Sequence, residues 1–361
     1  MAAYTTIDNP ELFFQCKLYA GNGSSRSITL DGEEDMQPDL VWIKDRSDTY
    51  YPTIFDSVRG VNKNLYTNNN AAEGTDSGVS AFNSNGFSLG TNNNENASSD
   101  NFVAWCWKAG TAFSNDASAT SVGNTDSSGS ASSTAGFSTA IYAGAGSSLD
   151  IQVKHGLSVA PAMMWIKNRA SDSWAVYHHK NTSAPETDYL KLDTNSATID
   201  DADAAECWHD TAPTSAIFTA GDFSATNRSG DNHVGYFWNE VQGFSKMGSY
   251  SGTANADGPF IFTGFSPSFV MAKMTSGTSN WNTFDNKRTD SSGGNVIDKR
   301  IKINDTAAEI DGSANQIDFL ANGFKWRGTD DDTNISSGTF VYMAFAEAPF
   351  VNSNGVPANA R

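Results

Sequence analysis

Apolar positions along this chain fall in short runs, about five to eight residues each, built from Val, Ile, Phe, Tyr, Trp and Thr. Clusters of Gly, Asn, Asp and Ser punctuate them. Length and residue type are those of strands, and the punctuation is that of turns. Helix-favouring Leu, Glu and Lys are sparse. The only passable helical windows are short, around Ala71-Ala-Glu73 and Ala307-Ala-Glu-Ile310. In the run Pro38-Asp-Leu-Val-Trp-Ile-Lys44 both alternations are apolar, Leu40 and Trp42 against Val41 and Ile43. That pattern predicts a central strand covered on both faces.

The runs recur in register three times, the signature of internal repetition. Tyr19-Ala-Gly, Tyr142-Ala-Gly and Tyr250-Ser-Gly open the three copies. Each is followed, 19, 19 and 17 residues after its tyrosine, by a proline-led run ending in lysine: Pro38 to Lys44, Pro161 to Lys167, Pro267 to Lys273. A second strand then carries Phe55-Asp56, Tyr177-His178 or Phe284-Asp285. Asn85-Gly86-Phe87 and Asn322-Gly323-Phe324 match, with Ile217-Phe218-Thr219 standing in the middle copy. An asparagine (Asn96, Asn227, Asn334) precedes the valine of each closing strand (Val103, Val234, Val341) by 7 residues.

The fold expected is therefore all-β, as three tandem related antiparallel β-sandwich units of jelly-roll or lectin-like type. The units are 16–110, 136–242 and 243–350. Residues 1–15 form an N-terminal segment, either an anchor or the start of the first strand. Residues 111–135, rich in Ser, Gly, Ala and Thr, read as a linker or long loop. Residues 351–361 read as a polar surface tail.

Composition narrows the partners. The 361 residues carry 41 acidic and 23 basic side chains, a net charge of −18. Such a chain repels phosphate backbones and anionic lipid, so neither nucleic acid nor a membrane is expected as partner. No run reaches the ~18 apolar residues of a membrane span, and the start lacks the charged and apolar regions of a secretory signal. Folding in a cytoplasm is expected. Cys16, Cys106 and Cys207 are too few and too widely spaced for a disulfide framework.

Candidate chemistry is thin. The acidic clusters Glu33-Glu-Asp35, Asp200-Asp-Ala-Asp203 and Asp330-Asp-Asp332 lie in polar loop sequence, not paired on a strand as glycoside hydrolysis requires. No nucleophile elbow, phosphate loop or metalloprotease motif occurs. His155, His178, His179, His209 and His233 all fall in the middle unit without zinc-type spacing. No cofactor is expected. Calcium is the one metal the Asp330-Asp-Asp-Thr-Asn334 loop could suit. The repeated lysines suggest hairpin pairs, Lys44 with Asp56 and Lys273 with Asp285. Tyr50, Tyr51, Trp208, Trp281 and Trp326 stand in polar company, and as exposed aromatics they would suit sugar stacking or a neighbouring subunit.

At these strands the chain resembles a family of repeat proteins encoded by tailed bacteriophages, many of them marine. The resemblance rests on Gln37-Pro-Asp-Leu-Val-Trp-Ile-Lys-Asp-Arg46, Phe55-Asp-Ser-Val-Arg-Gly60, Asn85-Gly-Phe87 and the stretch 102–110. It continues through Trp165-Ile-Lys-Asn-Arg169, Gly243-Phe-Ser-Lys-Met-Gly-Ser-Tyr250 and Met343-Ala-Phe-Ala-Glu-Ala-Pro-Phe350. It implies a virion structural protein with a tail-fibre or lectin-like, concanavalin-type sandwich and no catalytic residues to carry over. The expected role is a tail or fibre component in host-surface attachment, assembled in the host cytoplasm. Its expected partners are other virion proteins, further copies of itself and a host-surface glycan. The alternatives are a head decoration protein and, remotely, a polysaccharide-degrading enzyme.

Overall fold

The computed structural model describes residues 4–146, 150–201, 206–289 and 296–357. As the pattern predicts, it is nearly all β, with every named strand pair antiparallel. Each unit builds one large sheet and one small one. In the first unit the large sheet runs, neighbour to neighbour, Phe14–Ala20, Asn101–Trp107, Leu40–Asp45, Thr53–Asp56, Lys63–Tyr66 and Gly74–Thr75. The third repeats that order with Ser245–Ser251, Thr339–Pro349, Phe265–Met274, Asn282–Asp285, Lys299–Lys302 and Ile310–Asp311. The closing strand always lies between the opening strand and the proline-led strand.

The double alternation of the proline-led strand has a direct reading in the packing. Val41 and Ile43 face Ile28, Val79, Phe87 and Leu89 of the first unit's small sheet. Leu40 and Trp42 face the other way, into a core shared by all three units. Met164 and Ile166, against Met163 and Trp165, divide in the same manner in the second unit. Each large sheet is thus a middle layer between its small sheet and the common centre. Rings from different units meet there: Trp42 with Trp165 at 5.4 Å, Trp105 with Phe269 at 5.6 Å, Trp107 with Trp238 at 6.2 Å.

The expected linker is corrected, and two further readings are made specific. Residues 111–135 are not a linker. Thr111–Asn115 and Ser127–Ser132 form strands that extend the second unit's large sheet to eight. A backbone ladder needs no apolar side chains, and small ones let strands approach: a Cβ on Gly129 would overlap the Thr139 carbonyl oxygen. The windows at 71–73 and 307–310 contain no helix. The first strand begins at Phe14, and the residues before it cross to the third unit. There Tyr4 Oη donates to the Gly264 carbonyl (3.0 Å) and Thr5 Oγ1 to that of Gln242 (2.8 Å).

The glycine of Asn-Gly-Phe is fixed by close approach. Gly86 has φ +151°, and a Cβ there would overlap the Ile28 carbonyl oxygen. Gly323 meets Ile261 in the same way. In the middle unit Phe218, paired with Val153, takes the place of Phe87 paired with Ile28.

Candidate functional site

The repeated residues lead to the seams between units, which close in a ring. Asp56 of the first unit pairs with Arg59 and also accepts from Tyr236 Oη of the second (2.7 Å). Asp285 of the third unit holds Arg288 (2.6 Å) and accepts from Trp105 Nε1 of the first (3.0 Å). His178 of the second unit stands at that position, and its Nε2 lies 3.1 Å from the Tyr342 carbonyl oxygen of the third. His178 Nδ1 accepts from the Lys180 N–H, so Nε2 carries the ring proton and donates. Burial pushes the His178 pKa down to about 3.

The same seams carry a second layer. Glu73 of the first unit takes Arg169 of the second at two points, both 2.8 Å, and reaches its own Arg59 at 3.1 Å. Glu309 of the third takes Arg46 of the first at two points, both 2.9 Å, and its own Arg288 at 3.1 Å. Between the second and third units the same places hold Thr198 and Thr275, joined backbone to backbone at 3.0 Å. Thr198 Oγ1 donates to Asn181 (2.6 Å), which stands where Arg59 and Arg288 stand in the other copies. At these positions two seams are charged and one is neutral. The exchange is complete at the Asp, Arg, Glu and Arg positions, which is what burial requires, because one charge left without its partner is costly.

The lysine–aspartate hairpin pairs are not formed, since Arg59 and Arg288 take those aspartates. Lys44 Nζ instead donates to the carbonyls of Asp45 (2.7 Å) and, across a seam, Thr306 (3.1 Å). Lys167 donates to Asn168 (2.9 Å) and Asp172 (2.6 Å), and Lys273 to Met274 (2.6 Å). Burial brings each amine down to about 8. The repeated asparagines clamp a short helical turn to the loop after the opening strand. Asn96 Nδ2 donates to the Ser24 and Gly90 carbonyls (both 2.8 Å), and Asn334 Nδ2 to those of Asn255 and Gly328. Asn227 accepts from Ala145 N–H and donates to Gly221. The opening tyrosines donate to the carbonyls of Glu95, Thr226 and Thr333 and stack on Phe102, His233 and Phe340.

The aromatics expected at the surface are mostly inside. All nine tryptophans are buried. Trp208 donates its indole N–H to Asp188 O (3.1 Å), and Trp281 donates across a seam to Lys191 O (2.8 Å). Trp326 packs between Tyr250 and Phe284. At Trp326 the polar neighbours belong to the other face of a strand: Lys325 points outward while Phe324 and Trp326 point in. Tyr50 is half-buried against the first unit's core, and Tyr51, 42% exposed, lies against Tyr66 with ring centres 4.7 Å apart.

The acidic loops are held by protein donors. Asp330 caps the turn Asp331–Asn334 and binds Arg300 at 2.7 Å, and Asp332 accepts from Asn280. Asp201 accepts from the Cys207 N–H, while Ala202 and Asp203 lie outside the described residues. Glu33 N–H donates to Glu11, and the Glu34 carbonyl accepts from Gln15. Among the described residues no group of three His, Cys, Asp or Glu side chains could hold a metal ion. Among them, no helix is long and apolar enough to cross a membrane.

The surface offers a different feature. Phe260 and Phe262 stand outward, 46% and 57% exposed, on an edge strand of the third unit's small sheet. Phe262 walls a cleft of about 370 Å³ with Tyr4, Glu240, Gln242, Ser245 and Lys246. Glu240 Oε2 accepts from Lys246 Nζ (2.9 Å) and Oε1 from the Met247 N–H (3.2 Å). The Phe-Ile-Phe run was the available signal, visible only once the three copies are compared strand by strand.

Fold and seams define an all-β protein of three sandwich units closed into a ring within one chain. Residues 9–349 match the family described as Domain of unknown function (DUF7483), and the chain belongs to it. No curated protein and no solved structure matches.

Proposed function

We propose that this chain is a structural protein of a bacteriophage virion, a tail or fibre component that attaches to the host surface through a glycan. The observation that carries the reading is the use made of the repeated polar residues. Lys44, Lys167, Lys273, the asparagine clamps and the Asp–Arg–Glu seams all serve to join and brace the units. A chain whose repeated chemistry makes it rigid suits a building element rather than an enzyme, and the resemblance to phage repeat proteins points the same way. Its partners are then other virion proteins, further copies of itself and a host glycan, with assembly in the host cytoplasm. A place on the head is favoured by one observation, since a ring of three related units would match a threefold position in a shell. Immunogold labelling of purified virions with an antibody to this chain tests the reading. Label on the tail or its tip is expected. Label over the head moves the protein to decoration, and no label on any part of the particle overturns the virion role.

A further inference from the structure

Three copies in one chain act as internal controls for one another. On an edge strand of each small sheet a buried residue faces the core at one equivalent position: Ile28, Val153 and Ile261. Their partners Phe87, Phe218 and Phe324 fix the register. The flanking positions, which face outward, are Ser27 and Thr29 in the first unit, Gln152 and Lys154 in the second, and Phe260 and Phe262 in the third. Two units keep this face polar, as an outer sheet face in water requires. The third places two rings there. Outward aromatics beside a cleft are a departure from the fold's own pattern, and such departures mark binding surfaces.

We propose that the cleft beside Phe262 binds a pyranose residue of a surface polysaccharide, an inference that rests on the host-attachment reading above. The cleft presents two unlike surfaces. The Phe262 ring offers an apolar platform to the C–H face of a sugar. Glu240, Gln242 and Lys246 supply acceptors and donors at its polar wall. Each Glu240 oxygen accepts one protein hydrogen bond and has a lone pair left for a hydroxyl. The Lys246 and Met247 donors hold that carboxylate in place, so little ordering is needed on binding. Tyr4, fixed by its bond to Gly264, lines the same cleft, so the segment preceding the first strand helps form it.

The test uses the full chain on an array of oligosaccharides ending in glucose, galactose, mannose or N-acetylglucosamine, with titration calorimetry on the best binder. Phe262→Ala is expected to weaken binding by about tenfold or more, and Gln242→Ala by a smaller factor. Phe260→Ala, outside the cleft, should leave it within about twofold. All three sites are at the surface, and unchanged thermal unfolding would confirm that each variant folds. Equal binding by wild type and Phe262→Ala would overturn this site while leaving a glycan-binding role intact. No binding by the wild type, with gold label still on the tail, would overturn the sugar site and leave the virion reading standing. Loss of self-association in both phenylalanine variants without any sugar effect would make the face a contact between copies, and the proposal would fall.

Discussion

Arg169 grips Glu73 at two points across the seam between the first and second units, Nε to Oε2 and Nη2 to Oε1, each at 2.8 Å. Glu73 simultaneously neutralises the fully buried Arg59, which already holds Asp56. Its loss therefore strands Arg169 without a carboxylate and leaves Arg59 with Asp56 alone. Glu73→Ala should lower unfolding stability by about 3 kcal/mol or more, read as a fall in the urea midpoint, and Glu309→Ala by a similar amount. Thr198→Ala, at the neutral seam, should cost only about 1 kcal/mol. Equal losses at all three positions would show that the charged seams have no special weight.

Asn96, Asn227 and Asn334 perform one task three times. Replacing any of them by Ala leaves buried carbonyls and N–H groups without their amide partner. Each substitution should cost about 2 kcal/mol, with all three of the same sign in thermal unfolding. A neutral result at one position would remove the clamp from that unit.

Glu95 is buried where the other copies carry Thr226 and Thr333. Desolvation, with the Asp76 charge added, holds its carboxyl well above the usual range. The folded state keeps the proton after the unfolded chain has lost it near pH 4.5. Stability is therefore lost as pH rises from there, at about 1.4 kcal/mol per pH unit until the folded group ionises. Glu95→Gln should be more stable than wild type at pH 8 and lose that advantage by pH 4.5. Parallel urea midpoints at both pH values would contradict this.

His155, His178 and His233 are pushed down by burial to about 4, 3 and 4. Their ring resonances should stay fixed between pH 5.5 and 8 in NMR titration. The unfolded chain takes up these protons near pH 6.5, so each ring contributes stability above that pH that drains away on acidification towards the folded values. His233 stacks on Tyr142 where Phe102 and Phe340 stack on Tyr19 and Tyr250. His233→Phe should thus gain stability relative to wild type as pH falls from 6.5 to 4.5. A constant difference across that range would mean that the ring takes up its proton in the folded protein as readily as in the unfolded chain.

Strand character, the recurring spacing and the two-faced burial of the proline-led strands are legible in the amino-acid order alone. Those properties live in local spacing: alternation fixes faces, and repeated spacing fixes copies. That order also marks the residues that matter, namely the lysines, asparagines and opening tyrosines, though not their partners. Lys44 meets Thr306 and Asp56 meets Tyr236 only because the units close on one another, and no local pattern encodes a partner so far away in the chain. The short windows at 71–73 and 307–310 pass as helical by composition, yet Glu73 and Glu309 within them meet arginines of a neighbouring unit. Trp326 has polar neighbours because they lie on the other face of its strand, whereas Trp208, in a bend, and Trp281, just before a strand, are buried by packing and by indole bonds to the distant carbonyls of Asp188 and Lys191. Which aromatics remain in water, Phe260 and Phe262 among them, follows from the packing of the units, because exposure depends on what covers a face rather than on the residues that compose it.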